Sequence, residues 1–165
     1  MDSSTTPSPP AKQAAPILAS EAKAEDGRER MLRLTSGGDQ YVVPLDSVQE
    51  VVPLVTLTRI PGAPPYVLGL MNLRGVLVTV LDLALRLSHR TEPVSSGVVL
   101  LVPTDSGGVA GCAMDGVRDV IPAPEDITRH PGNEGGARIV LGVADHAGES
   151  VVVVDLRAFI RDSLR

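Results

Sequence analysis

Aromatic residues are scarce in this chain of 165 residues, which contains two Tyr, one Phe and no Trp. A chain so poor in aromatics offers few surfaces on which bases could stack, and this argues against binding of single-stranded nucleic acid. Its net charge of −5 also weakens the case for DNA, RNA or an anionic membrane as a partner. The core must therefore be filled by Val, Leu, Ile and Ala.

Cysteine and long apolar runs are lacking as well. The single cysteine, Cys112, cannot form an internal disulfide, and its apolar neighbours predict a buried thiol. No apolar run approaches the roughly 18 residues that span a bilayer. Residues 1–20 lack the basic start and the continuous apolar stretch of a signal peptide. We therefore expect a cytoplasmic protein with no direct membrane insertion.

Patterns that would indicate catalysis or metal binding are also missing. His89, His130 and His146 lie far apart in polar contexts, and none has a second ligand at metal-binding spacing, so we expect surface histidines. The glycine-rich stretches lack the Lys and the following helix of a phosphate-binding loop, and no serine lies in a G-x-S-x-G motif. We predict that the chain is not an enzyme and has no cofactor or metal.

Composition divides the chain into two parts. Residues 1–27 are rich in Pro, Ser and Ala and contain few large apolar residues. Such a segment cannot bury enough surface to offset its ordering entropy, and we predict a disordered N-terminal tail. Residues 28–165 are predicted to form one folded domain.

Short runs rich in β-branched residues alternate with Gly, Pro and Asp after residue 30, which predicts many strands in a mainly β sandwich or barrel. The predicted strands are Met31–Leu34, Tyr41–Pro44, Val76–Leu81, Val98–Val102, Val109–Met114, Val117–Ile121, Arg138–Val143 and Val151–Val154.

Few segments have helical spacing. We predict one or two helical turns over Asp46–Val52, with Asp46 as the N-cap, and a C-terminal helix over Leu156–Leu164 that follows Asp155. Leu81–Arg86 is ambiguous between helix and strand. No internal repeat of fixed period is predicted.

One stretch, residues 58–83 (TRIPGAPPYVLGLMNLRGVLVTVLDL), resembles the signature of the CheW-like family. That signature is a Pro-containing loop, an aromatic residue, a Gly, then N-L-R-G, a β run and Asp-Leu. Further similarity lies upstream in Tyr41–Val51 and downstream in Met114–Val120 and Ile139–Phe159, so the resemblance spans about residues 30 to 163. Two departures are the absence of the usual Phe in the first strand and Thr79 in place of a frequent Pro.

The resemblance implies a fold of two packed five-stranded β-barrels with a groove between them and a few short helices, including a C-terminal one. It implies a non-enzymatic adaptor that couples the cytoplasmic tip of a methyl-accepting chemoreceptor to the regulatory domain of a CheA-type histidine kinase, recruited to membrane-associated receptor arrays. Two alternatives stay open. One is a divergent module that binds a single partner or serves another signalling or polarity scaffold, and the other is a small-ligand-binding β-barrel.

Matched motif positions imply a set of partner-binding residues: Val48, Glu50, Gly69, Asn72, Arg74 and Val120. The sequence places Arg74 in a short strand that Gly69 and Gly75 bracket. Arginine offers a planar fork of donors and is enriched at interface hot spots, which favours a docking role. The alternative is an arginine that pairs with an internal carboxylate. For Val48 and Val120 core packing is an equal alternative, and Gly69 is open to a purely conformational role.

Overall fold

The computed structural model describes residues 27–129 and 138–164, so the predicted N-terminal tail lies almost wholly outside the described residues. The described part is mainly β-strand. Its elements are β1 (Arg30–Ser36), β2 (Asp39–Pro44), β3 (Glu50–Pro53), β4 (Val67–Leu73), β5 (Val76–Asp82), α1 (Leu83–Arg86), β6 (Val98–Pro103), β7 (Val109–Met114), β8 (Gly116–Pro122), β9 (Val140–His146), β10 (Glu149–Val154) and α2 (Leu156–Ser163).

The strands form two five-stranded sheets. Sheet I has the order β8-β1-β2-β10-β9, and sheet II has the order β3-β6-β7-β5-β4. Neighbouring strands are antiparallel except for β2 with β10 and β5 with β7, which are parallel. The prediction of a mainly β fold with two packed five-stranded units is confirmed, although the sheets curl without closing into complete barrels.

Each sheet curls because the segment that leaves one edge strand returns to the opposite edge. In sheet II, Thr58 lies between β3 and β4 and exchanges two backbone hydrogen bonds with Leu70 of β4, at 2.9 and 2.7 Å. In sheet I, Thr128 lies between β8 and β9 and exchanges two with Val143 of β9, at 2.8 and 2.9 Å. The bridging residues cover backbone groups that the edge strands would otherwise expose.

Three apolar clusters follow from this curling. Side chains of a strand alternate between its two faces, so each sheet has an inner and an outer apolar set. The largest cluster lies between the sheets and takes residues from both sheets and both helices. The second cluster, with Met71 and Val78, lies on the inner face of curled sheet II and is called its inner cluster. The third, with Met31 and Val151, lies on the inner face of sheet I. Cys112 lies in the largest cluster, which confirms the predicted buried thiol.

The sequence has no repeat of fixed period, yet the fold consists of two similar halves. Strands β1–β5 form the first half and β6–β10 the second, and each half contributes its first hairpin to one sheet and its last three strands to the other. Residues 68–83 (LGLMNLRGVLVTVLDL) correspond to residues 141–156 (LGVADHAGESVVVVDL), and residues 48–53 (VQEVVP) to residues 117–122 (VRDVIP). Different loop lengths between these blocks prevent a fixed period, which hides the repeat.

The predicted helix over Asp46–Val52 is also wrong. The chain makes a single 3₁₀ turn at Leu45–Ser47 and then enters β3, which pairs with β6. Val51 and Val52 are both buried but belong to different apolar clusters, as successive residues of a strand should. The strand is favoured because its β-branched residues pack on two faces and its backbone gains a ladder with β6.

Both α-helices start after an aspartate at the end of a strand, since Asp82 is the last residue of β5 and Asp155 directly follows β10. The Asp82 carboxylate accepts a hydrogen bond from the backbone N–H of Leu85 at 3.1 Å, and the Asp155 carboxylate accepts one from Ala158 at 3.0 Å. These are N-caps, and the C-terminal helix is confirmed. The ambiguous segment ends as helix α1. None of the helices in the described ranges is long and apolar enough to cross a membrane.

Candidate functional site: a charged hairpin end on sheet II

A tight turn joins β4 to β5 and presents Arg74. Leu73 and Val76 are paired in the ladder, so the loop has two residues, Arg74 with a φ of 51° and Gly75 with a φ of 86°. Positive φ at both positions is the geometry of a type I′ hairpin turn. The sequence placed Arg74 inside a strand, and the structure corrects this: β4 ends at Leu73, and Arg74 lies at the protruding end of the hairpin.

Asn72 holds this turn in shape. Its side-chain oxygen accepts a hydrogen bond from the backbone N–H of Gly75 at 2.9 Å. The corresponding hairpin of sheet I has the same arrangement, with Ala147 and Gly148 at positive φ and the Asp145 carboxylate accepting from the Gly148 N–H at 3.0 Å. The recurrence identifies Asn72 as a residue that positions the turn.

Arg74 forms a two-point contact with Glu50. Its two terminal nitrogens lie 2.6 and 3.3 Å from the two carboxylate oxygens of Glu50. The side chain of Glu50 is only 10% exposed, whereas that of Arg74 is 64% exposed. The hydrogen bond to Glu50 raises the pKa of the Arg74 guanidinium. The sequence left open an arginine that pairs with an internal carboxylate, and this alternative is partly correct. Arg74 pairs with Glu50, but most of its side chain stays exposed to solvent.

The pair connects opposite edges of sheet II. Glu50 belongs to β3 and Arg74 follows β4, and these strands are the two outermost of the sheet. Glu50 lies two residues before Val52, on the face of β3 that packs into the inner cluster of sheet II. The ion pair therefore lies at the open end of the curled sheet and links its two edges.

Gly69 has a conformational role in the same sheet. Its φ is 144°, and a Cβ built there would lie 2.4 Å from the carbonyl oxygen of Thr58. Only glycine lets Thr58 approach β4 closely enough to form the bridge with Leu70. Gly142 has the same environment against Thr128 in sheet I, at 2.5 Å.

Sheet I has a carboxylate at the equivalent position, but there the carboxylate is the exposed partner and the arginine is the buried one. Asp119 corresponds to Glu50, and it pairs with Arg33 of the adjacent strand β1 at 2.6 and 2.7 Å. The hydrogen bond from Arg33 lowers the pKa of Asp119. The Arg33 side chain is only 8% exposed, and the residue that corresponds to Arg74 is Ala147. An exposed arginine in the hairpin turn is therefore not required by the fold and occurs in sheet II but not in sheet I.

The two valines of the predicted set differ in their surroundings. Val48 is only 3% exposed and belongs to the cluster between the sheets. Val120 is half-buried on β8 of sheet I and packs against the same cluster. The structure thus brings Glu50, Asn72 and Arg74 together with Gly69 in sheet II, and it places Val48 and Val120 at the packing between the sheets.

One histidine has a structural partner that the sequence did not reveal. His89 is exposed as predicted, but its Nδ1 lies 2.7 Å from the hydroxyl of Tyr41, a fully buried residue. Burial raises the pKa of the Tyr41 hydroxyl. His146 is half-buried, and His130 lies outside the described residues. Within the described ranges, no three His, Cys, Asp or Glu side chains come together in a way that could hold a metal ion.

A groove with a mixed polar and aliphatic lining lies beside the returning segment of sheet II. Its volume is about 360 Å³. Its apolar walls come mainly from the segment between β3 and β4 and the start of β4, namely Leu54, Val55, Leu57, Ile60, Ala63, Pro64, Pro65, Val67 and Leu68. Val55 is 52% exposed, and Arg59 supplies a positive charge to the lining. No sequence pattern indicates this groove, because its walls come together only when the segment folds back on β4.

Comparison with known proteins agrees with this architecture of two curled sheets. The crystal structure of the scaffolding protein TtCheW from Thermoanaerobacter tengcongensis superposes with a TM-score of 0.67 at 26% identity, covering 79% of this chain and 86% of that one. The chemotaxis protein CheW of Klebsiella aerogenes is 31% identical over 114 residues, which are 64% of this chain and 69% of that protein. Protein FrzA of Myxococcus xanthus is 28% identical over 138 residues, 82% of this chain and 84% of its own length.

The fold and the charged hairpin end are those of a small β scaffold module. The model of the CheW-like domain matches residues 30–163, and the chain belongs to the CheW-like family. Proteins of this family are non-enzymatic scaffold proteins, so the prediction that the chain is not an enzyme is confirmed. The chain is a CheW-type scaffold protein of chemotaxis signalling.

Proposed function

We propose that the chain couples the cytoplasmic tip of a methyl-accepting chemoreceptor to the regulatory domain of a CheA-type histidine kinase, and that Arg74 is the central receptor contact. The observation that carries this proposal is the asymmetry between the sheets. In sheet II the carboxylate of the pair, Glu50, is only 10% exposed and the arginine, Arg74, is 64% exposed, whereas in sheet I the arginine, Arg33, is 8% exposed and the carboxylate, Asp119, is 45% exposed. An arginine that only neutralised Glu50 could lie inside the sheet, as Arg33 does.

The pair with Glu50 prepares Arg74 for docking. A guanidinium that is already held by a bidentate contact loses little side-chain freedom when a partner binds. Asn72 and Gly69 contribute indirectly, since Asn72 shapes the turn and Gly69 admits the segment that curls the sheet. We propose that Val48 and Val120 support the contact surface from the packing between the sheets.

An adaptor for two proteins needs two surfaces, and we propose the groove around Val55 as the second one. The groove lies at the end of one curled sheet, and exposed aliphatic side chains surrounded by polar residues are typical of protein interaction sites. We propose that it binds the kinase regulatory domain. Coupling would then occur at the membrane-associated arrays where receptors and kinase meet.

Binding measurements on matched variants test the receptor contact. Arg74→Ala should weaken binding to a receptor-tip fragment by about tenfold or more, because truncated hot-spot arginines have effects of this size. Arg118→Ala is the control, since Arg118 is also exposed and paired, with Glu149 at 3.3 Å in sheet I, and its loss should not change binding. Val55→Asp should weaken binding of the kinase regulatory domain and leave receptor binding unchanged.

A double variant separates docking from structure. Arg74→Ala leaves the nearly buried Glu50 carboxylate without its cation and should lower the melting temperature. Glu50→Gln/Arg74→Gln removes both charges together, so most of the stability should return while receptor binding stays weak. Receptor affinity of the double variant equal to that of the wild type would show that Arg74 serves only to neutralise Glu50.

A further inference from the structure

Two exposed aliphatic residues directly follow the turn formed by Arg74 and Gly75. Val76 is 57% exposed and Leu77 is 65% exposed, although both belong to β5, a strand whose next residues are largely buried. Large exposed aliphatics at the end of a hairpin gain little for the fold of the chain that carries them. Their presence beside the proposed docking arginine calls for a reason outside the fold.

The equivalent hairpin of sheet I shows that the fold does not require them. In the aligned repeats, Val76 and Leu77 correspond to Glu149 and Ser150, two polar residues on the same kind of type I′ hairpin. Glu149 accepts hydrogen bonds from Gln40 and Arg118 and so belongs to the polar surface of sheet I. The apolar end is thus specific to the hairpin that carries Arg74.

The two aliphatic side chains point to opposite sides of the hairpin. Successive residues of a strand alternate, so Val76 lies on the same face as Val78, which packs in the inner cluster of sheet II. Leu77 lies on the opposite face together with Leu81, which packs in the cluster between the sheets. The hairpin end is therefore apolar on both sides and carries a positive charge at its tip.

We propose that Val76 and Leu77 anchor the hairpin end in an apolar cleft between two helices of the receptor tip, with a carboxylate at the floor of the cleft facing Arg74. A flat surface could contact only one face of the hairpin, whereas a cleft contacts both aliphatic side chains and the tip. This inference rests on the proposed function, since it extends the Arg74 contact to its neighbours. It predicts that recognition has an apolar part and an electrostatic part, each carried by different residues.

The test is to replace the aliphatics with small polar residues, of which threonine favours strands and serine already occupies the equivalent position in sheet I as Ser150. Val76→Thr/Leu77→Ser should leave the melting temperature nearly unchanged, because both positions are exposed in the free protein. It should weaken binding of a receptor-tip fragment by roughly tenfold, which corresponds to about 1.4 kcal/mol. The control is Leu164→Ser, which replaces an aliphatic residue of 43% exposure near the end of α2 and should bind like the wild type.

Salt dependence distinguishes this anchor from the arginine contact. Binding of the wild type should weaken as salt rises, and Val76→Thr/Leu77→Ser should keep that slope because its charge is intact. Arg74→Ala should flatten the slope. If only Arg74→Ala weakens binding, the anchor is wrong and the docking arginine stands. If only the aliphatic variant weakens binding, the anchor stands and the proposed role of Arg74 fails.

Self-association is the other outcome that would overturn the proposal. Analytical ultracentrifugation of the wild type and of Val76→Thr/Leu77→Ser decides it. A wild type that dimerises through these residues, with receptor binding equal in both proteins, would show that a second copy of the chain covers the hairpin end. A monomeric wild type with weaker receptor binding of the variant supports the receptor cleft.

Discussion

Replacement of Gly69 by alanine should separate a conformational role from a contact role within the proposed site. Gly69 has a φ of 144°, where any other residue is strained by about 1–3 kcal/mol. An added Cβ would also lie 2.4 Å from the Thr58 carbonyl oxygen, too close for any real contact, so the segment that bridges to β4 must move away. The move disrupts the two backbone hydrogen bonds between Thr58 and Leu70, each worth about 1 kcal/mol.

Together these effects predict that Gly69→Ala lowers the free energy of unfolding by about 3 kcal/mol, or the melting temperature by about 10 °C. Urea denaturation and thermal melting measure the loss. Gly62→Ala is the matched control, because Gly62 also has a positive φ, 79°, but nothing lies within 4 Å of an added Cβ. Gly142→Ala should resemble Gly69→Ala, since Thr128 lies equally close. Melting of Gly69→Ala at the temperature of Gly62→Ala would refute the steric argument.

Three further predictions concern stability and composition. The pKa of Asp119 is lowered by Arg33, so its contribution to stability is present above the pKa of an unfolded aspartate and is lost as the pH falls through the lowered value. Asp119→Asn should therefore reduce stability at pH 7 and flatten the acid limb of a stability–pH curve, and an unchanged limb would contradict this. A chain that starts near Arg28 should keep both its melting temperature and its partner binding, as circular dichroism and binding assays can check. Elemental analysis of untagged protein should find no stoichiometric zinc or iron, and finding either would overturn the prediction of a metal-free protein.

The resemblance of N-L-R-G and its neighbours to a known signature predicted the family, and the strand patterns predicted the fold class. Both depend on the order of residue types along short stretches of the chain, which can be read from a sequence without knowledge of tertiary contacts. The helix predicted over Asp46–Val52 failed for the opposite reason. Its spacing fits a helix, but pairing with β6 offers a better environment for consecutive valines, and that partner lies far along the chain.

The candidate site was likewise predictable from the sequence only in part. The sequence identified Arg74 and Glu50 separately, through their motifs, and left open whether Arg74 pairs internally or docks. Only the curl of sheet II brings a terminal nitrogen of Arg74 to 2.6 Å from a carboxylate oxygen of Glu50, because it folds the edge strands β3 and β4 towards each other. The exposed pair Val76 and Leu77 was hidden for a related reason: within the sequence they look like ordinary strand residues, and their exposure depends on where neighbouring strands end.

By itself, the sequence determined the family, the mainly β class, the buried Cys112 and the capped C-terminal helix, since each depends on residue type and short-range spacing. The tertiary structure decided the exchange of hairpins between the two halves, the parallel pairing of β5 with β7 and the different burial of Arg33 and Arg74. These features join residues far apart in the chain. Their free energy comes from contacts that local periodicity does not encode, and the arginine of the ion pair could thus be buried in sheet I and exposed in sheet II.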